Sequence, residues 1–248
     1  MTAAAEPRVD RAEVEKFDRF AADWWNPDGT MKPLHRINPV RLAYIRDQAA
    51  DRFGRDAKGP KPFAGLTLLD IGCGGGLLSE PLARLGFEVT GIDPAGNNVD
   101  VARAHAEASG VPVTYRKVTA ETLEEESAGF DVVLAMEVVE HVPDVPAFVA
   151  MATRLVKPGG LFIASTINRT KRAFALAIVG AEYLLRWLPV GTHSWDKFVT
   201  PDEFEIAISA GGLDVFDRQG VIYNPLTDRW GLSRDMAVNY MLAAGDDG

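Results

Sequence analysis

The chain has 248 residues, 47% of them apolar and 25% charged, with a net charge of −9; this is ordinary globular usage, able to bury a large core in one domain with additions. The acidic balance argues against a general electrostatic hold on nucleic acid, because phosphate binding needs clustered lysine and arginine. The lone cysteine, Cys73, excludes a disulfide framework and a cysteine-rich metal site, and the lack of a signal-peptide core or of an apolar run of about eighteen residues predicts a soluble protein of the reducing cytoplasm.

Residues 1–62 read as a helical extension. The stretch MTAAAEPRVD is small and polar and is expected to be disordered. From Asp10, a suitable N-cap, the residues Val14, Phe17, Phe20, Ala21 and Trp24 recur at helical spacing. Trp25-Asn26-Pro27-Asp28-Gly29 is a turn signal. Pro33 to Asn38 reads as irregular, and Pro39 opens a second helix carrying Leu42, Ile45 and Ala49. The paired Trp24 and Trp25 read first as core packing, since large aromatics dominate buried area, and more sharply as a lid over a small-molecule site.

Gly54 to Pro62 is a linker, and residues 63–248 form the main domain. Strands are expected at Leu66–Ile71, Glu88–Ile92, Val113–Val118, Phe130–Met136 and Leu161–Thr166, with helices at Leu77–Leu85, Gly96–Ser109 and Val145–Leu155 between them. Residues 168–198 break the rhythm as an insertion after the fifth strand. It reads as a helix with a cationic start (Arg169, Lys171, Arg172) and an apolar body from Phe174 to Leu188. Thr200-Pro201-Asp202-Glu203 caps another helix, and Leu213–Tyr223 and Met236–Ala243 close the fold as an antiparallel pair. The whole is an α/β protein with a mostly parallel, seven-stranded sheet, helices on both faces and right-handed crossovers. Ligands of such sheets bind at the carboxyl ends of the strands.

Asp70-Ile71-Gly72-Cys73-Gly74-Gly75-Gly76 ends the first strand. Glycines let the backbone approach a ligand closely. The dinucleotide fingerprint needs glycine at its first, third and sixth places, and the sixth here is Leu77, which favours a cofactor without a pyrophosphate. The spacing fits a nucleoside with an amino-acid tail, Gly72 and Gly74 passing under its sulfonium and carboxylate. Asp93 ends the second strand about twenty residues on, where an acid can accept both ribose hydroxyls.

Four stretches now stand together: FDRFAADWWNPDGTMKPLHRINPVRLAYI, LLDIGCGGGLLSEPLARLGFEVTGID, AMEVVEHVPD and GTHSWDKF. Through them the chain resembles class I S-adenosylmethionine-dependent methyltransferases, with their Rossmann-like fold. More narrowly, and over nearly its whole length, it resembles the ubiquinone-biosynthesis O-methyltransferases. The glycine motif alone carries only the superfamily. The resemblance implies S-adenosyl-L-methionine held against Arg41, Gly72, Asp93 and Met136, beside Gly74, and methylation of phenolic hydroxyls on polyprenylated hydroxyphenol and demethylubiquinol intermediates. A charge-assisted pair with the methionine carboxylate is open to Arg41. Met136 can flank the cofactor or fill a gap in the core.

Glu137, Glu140 and His141 follow at once. On a helix these spacings share one face, so the three side chains would converge at the reacting end of the cofactor. Two chemistries fit. A divalent cation could bind the catechol oxygens and lower a phenol pKa, and the resemblance implies Mg2+ on Glu137, Glu140 and His141. Alternatively His141 alone could serve as general base. The insertion fits an interfacial helix, and the resemblance implies membrane contact through residues 168–189; attachment at the inner face and a multi-enzyme biosynthetic complex as partner are further expectations. The competing readings are a methyltransferase for another small phenol and a non-catalytic cofactor-binding scaffold.

Overall fold

Apolar residues fill both faces of the central strands, as a sheet covered on each side requires. The computed structural model describes residues 14, 15, 18, 21–175 and 195–246. Its strands are β1 (Thr67–Ile71), β2 (Glu88–Ile92), β3 (Val113–Arg116), β4 (Phe130–Met136), β5 (Val156–Ile167), β6 (Asp214–Asn224), β7 (Arg229–Ser233) and β8 (Asn239–Gly245). They form one sheet in the order β3-β2-β1-β4-β5-β8-β6-β7. Strands β1 to β5 are parallel, and β8, β6 and β7 continue the sheet antiparallel.

The principal helices are α1 (Lys32–Phe53), α2 (Ser79–Arg84), α3 (Gly96–Ser109), α4 (Ala120–Glu125), α5 (Val145–Arg154) and α6 (Pro201–Ala210). Side chains alternate across the sheet, as the period of two demands. Leu68, Val132, Leu134, Leu161 and Ile163 pack with Ile37, Tyr44 and Ile45 of α1 and Leu82 of α2. Leu69, Ile71, Val133, Ala135, Phe162 and Ala164 pack with Leu123, Val149, Phe204 and Ile208 from α4, α5 and α6. The expected cap of α6 is a full capping box, with Thr200 accepting from the Glu203 amide and the Glu203 side chain accepting from the Thr200 amide; a cap of this kind contributes about 1 kcal/mol.

Four sequence expectations change. The sheet has eight strands rather than seven, because Arg229–Ser233 pairs with β6. The turn-like Asn224-Pro225-Leu226-Thr227-Asp228 hides this hairpin, but Trp230 packs against the α1 side of the core and lies 5.5 Å from the Tyr223 ring. Helix α1 is continuous from Lys32, with Pro33 in its first turn and Pro39 inside it. Burial of Ile37, Arg41, Tyr44 and Ile45 along one face overrides the cost of an interior proline. The segment after β4 is a single 3-10 turn, Val139–His141, and not an α-helix. Helix α4, unassigned in the sequence reading, follows β3.

Phe17, Phe20 and the apolar body of the insertion over 176–194 lie outside the described residues. At its borders, Arg169 pairs with Glu203 and Arg172 with Asp235, so two of the cations that open the insertion already have protein partners. No helix among the described residues is long and apolar enough to cross a membrane.

Candidate active site

The sheet order places β1 between β2 and β4, so successive connections leave β1 in opposite directions and a crevice opens beyond the strand ends. A cavity of about 150 Å³ occupies it. Ile71, Gly72 and Gly74 from the β1 turn, Asp93 to Ala95 after β2, Val118 to Glu121 after β3, and Glu137, Val138 and His141 after β4 line it. Trp24, Val142 and Phe148 complete its apolar wall.

The glycine turn is tight. Gly72 and Cys73 both donate their amides to the Ile92 carbonyl, at 2.9 and 3.0 Å. Gly72 and Gly74 have φ of 70° and 53°, a region that L side chains enter only with strain. A Cβ on Gly72 would stand 2.7 Å from Val138, and one on Gly74 would run into the Trp24 ring. Both expectations for Trp24 meet here. It is 7% exposed within a small apolar cluster, and it also walls the cavity while its Nε1 donates to Asn98 Oδ1 at 2.8 Å. Trp25 donates to the Gly75 carbonyl at 2.9 Å and stacks on His105, with ring centroids 3.4 Å apart.

Two carboxylates stand behind the turn. Asp93 accepts the Gly74 amide at 3.0 Å and the Ala95 amide at 2.8 Å; burial pushes its pKa up to about 6 against those hydrogen bonds. Asp70 accepts the Ser79 hydroxyl at 2.6 Å, and burial again pushes its pKa up to about 6. Between its ordinary value of 3.8 and about 6, the native state holds the extra proton. Stability therefore falls as pH rises through that window, and the full cost of the buried charge stands above it. Asp70→Asn is expected to raise stability at pH 8 by something on the order of 2 kcal/mol, from a shift of roughly two units. The gain should fade towards pH 4, and urea unfolding at several pH values measures it. A gain that does not vary with pH would refute this account of Asp70.

After β4, Glu137 has a left-handed φ of 58°. Its amide donates to the Ser165 carbonyl at 3.0 Å, and its Oε1 accepts the Ser165 hydroxyl at 2.7 Å and the Arg41 guanidinium at 2.8 Å. Glu140 is 2% exposed and accepts the Thr166 hydroxyl through Oε2 at 2.8 Å, while its Oε1 has no hydrogen-bond partner. Burial first, and the Glu137 charge second, hold its carboxyl well above the usual carboxylate range.

Of the residues singled out in the sequence, Gly72, Gly74, Asp93, Glu137 and His141 therefore line one cavity. Arg41 meets it through Glu137, Glu140 lies buried behind it, and Met136 packs within the core cluster that includes Leu134 and Ile37. The sequence reading missed Asn98, Val118 to Glu121, Val142 and Phe148. The apolar ones carry no signal that separates them from core, and only the sheet order brings the ends of β2, β3 and β4 together.

A family profile described as "Methyltransferase domain" matches residues 69–164. A ubiquinone biosynthesis O-methyltransferase from Methylobacterium sp. (strain 4-46) is 61% identical over 244 residues, covering 98% of each chain. One from Rhizobium etli (strain CIAT 652) is 58% identical over 242 residues, again covering 98% of each. The chain belongs to the ubiquinone biosynthesis O-methyltransferase family. The family and enzyme class expected from the four sequence stretches are thereby borne out, and membership makes the chain an S-adenosylmethionine-dependent methyltransferase. The fold agrees: the magnesium protoporphyrin IX methyltransferase from Synechocystis PCC 6803, solved with bound S-adenosylhomocysteine, superposes with a TM-score of 0.63 at 19% identity, covering 93% of each chain.

The magnesium implied for Glu137, Glu140 and His141 fits less well. The unpartnered Glu140 Oε1 is an acceptor that a cation could use. Glu137, however, is committed to Arg41 and Ser165, and among the described residues no group of three His, Cys, Asp or Glu side chains is arranged to hold a metal ion. Glu137 lies outside the single 3-10 turn and takes a left-handed φ, so the three side chains do not share the one helical face that the spacing predicts.

Proposed function

We propose that the protein methylates a phenolic hydroxyl of a polyprenylated hydroxyphenol or demethylubiquinol, with His141 as general base. The carrying observation is that Asp93 and His141 line one cavity, from the connections after β2 and β4, the two strands that flank β1. S-adenosylmethionine, when bound, supplies an electrophilic methyl on a sulfonium, which leaves position and a deprotonated acceptor oxygen to the protein. Asp93 offers its carboxylate oxygens to ribose hydroxyls while two backbone amides hold it in place. Gly72 and Gly74 admit the ligand backbone-close, and Arg41 offers a guanidinium to the amino-acid carboxylate. His141 takes the phenol proton, as imidazole commonly does near neutral pH. Holding donor and acceptor in line is the other principal contribution. The substrate class is supported by the pathway named for the relatives.

Methyl transfer from labelled S-adenosylmethionine to a short-chain demethylubiquinol analogue tests this reading. Transfer to soluble catechols only would assign another acceptor, and no transfer to any phenol would leave a scaffold. The same assay run in a chelator, with magnesium added back, tests the base. The His141 route predicts indifference to both, and activity lost and then restored would move deprotonation to a metal.

Peripheral membrane contact through residues 168–189 is part of this proposal. It is supported by the polyprenyl tail of the substrate class and by the aromatic, apolar composition of the segment. Deleting Asn168 to Pro189 is expected to abolish co-sedimentation with anionic liposomes. Equal binding by both forms would sink the idea.

A further inference from the structure

Arg41 is 4% exposed, and its ion pair among the described residues is to Glu137. A buried guanidinium stripped of its counter-ion is strongly destabilising, so Glu137 has a defined electrostatic task. It performs that task from a strained position. A non-glycine residue in the left-handed region persists only where its surroundings over-determine it, and such outliers cluster at switching and ligand-clamping sites. Here the surroundings are Ser165, which fixes the Glu137 backbone and Oε1 together. The same carboxylate lines the cavity, and its charge is felt by the buried Glu140. Two acidic side chains thus stand near each other, and one of them holds the guanidinium.

The cofactor's own carboxylate is a third claimant on Arg41. Two carboxylates drawn to one guanidinium repel each other, so each weakens the other's hold on it. We propose that Glu137 competes with the amino-acid carboxylate of the cofactor for Arg41, so that cofactor binding displaces Glu137 from the guanidinium and releases its carboxylate to the acceptor side of the cavity. The proposal rests on the methyltransferase reading and on Arg41 as the carboxylate partner. Its consequence is an order of addition, cofactor before phenol, because the acceptor wall gains a free carboxylate only after the exchange.

Equilibrium binding of two probes separates the possibilities. S-adenosylhomocysteine carries the amino-acid carboxylate, whereas 5′-methylthioadenosine has the same nucleoside without that tail and also reports whether each variant is folded. Glu137→Gln keeps the shape and an acceptor for Ser165 but removes the competing charge. It is expected to tighten S-adenosylhomocysteine about ten-fold, a coupling of the usual size between sites, and to leave 5′-methylthioadenosine unchanged. The gain should vanish in Glu137→Gln combined with Arg41→Gln. Unchanged or weakened S-adenosylhomocysteine binding in Glu137→Gln, with Arg41→Gln still selectively weakening it, overturns the competition and leaves the Arg41 reading standing. If Arg41→Gln affects both probes alike, or neither, the Arg41 reading itself falls. Should Glu137→Gln fail to bind 5′-methylthioadenosine, Glu137→Asp carries the test by drawing the charge back one methylene; tighter S-adenosylhomocysteine binding supports the exchange and weaker binding overturns it.

Discussion

His141→Ala is expected to lower turnover by roughly 10²–10⁴-fold, the usual contribution of a positioned general base, while S-adenosylhomocysteine binds nearly as in the wild type. The reasoning is geometric. His141 lines the cavity from the connection after β4, whereas the glycine turn and Asp93 follow β1 and β2, so its loss removes none of the nucleoside-binding groups. Glu140→Ala should be impaired as well, for a different reason. Glu140 is buried, tied to Thr166, and electrostatically linked to His141 and Glu137, so its removal disturbs the turn that presents His141. A stopped assay with labelled methyl donor, beside calorimetric binding of S-adenosylhomocysteine, separates chemistry from affinity. Full turnover in both variants would end the assignment of this turn to the reaction.

The second large effect lies on the cofactor side. Asp93→Ala should weaken S-adenosylhomocysteine by at least ~100-fold, since hydrogen bonds to a charged acceptor contribute about 1.5–3 kcal/mol each. The loss has two parts, because Asp93 also anchors the turn through the Gly74 and Ala95 amides. A pH profile isolates the charge. With its pKa pushed up to about 6 by burial, Asp93 is ionised above that value and is neutralised as pH falls through it, so wild-type affinity should drop below pH 6. Asp93→Asn should start lower and stay flat across the same range. Equal pH dependence in the two proteins would assign the titration to another group.

The two arms of the site were legible to different degrees. The strand, glycine turn, helix and distal acid from Leu66 to Asp93 are local in the sequence, and each has a steric or electrostatic requirement that few residue types meet. Asp93 could be placed at a strand end because the strand before it is read from five consecutive residues, Glu88–Ile92. Glu137, Glu140 and His141 were found for the right residue types but with the wrong geometry. Their helical spacing is real in the sequence, yet the backbone reverses at Glu137 and makes only one 3-10 turn. Nothing local distinguishes these outcomes, because the Ser165 contacts that hold Glu137 come from the neighbouring strand.

By itself, then, the sequence determined the α/β rhythm, the glycine turn with Asp93, and the family, all of which depend on short-range order and on motifs whose residues are adjacent. The tertiary structure decided what depends on long-range pairing. It added the eighth strand through Tyr223 and Trp230, carried α1 straight through Pro39 by burying one of its faces, and set Trp24 against Gly74 and Gly75. It also paired Arg41 with Glu137, residues on different elements whose attraction acts only once the core has brought α1 to the end of β4. Local propensity is a property of a few neighbouring residues, whereas a buried charge finds its partner wherever packing has placed one.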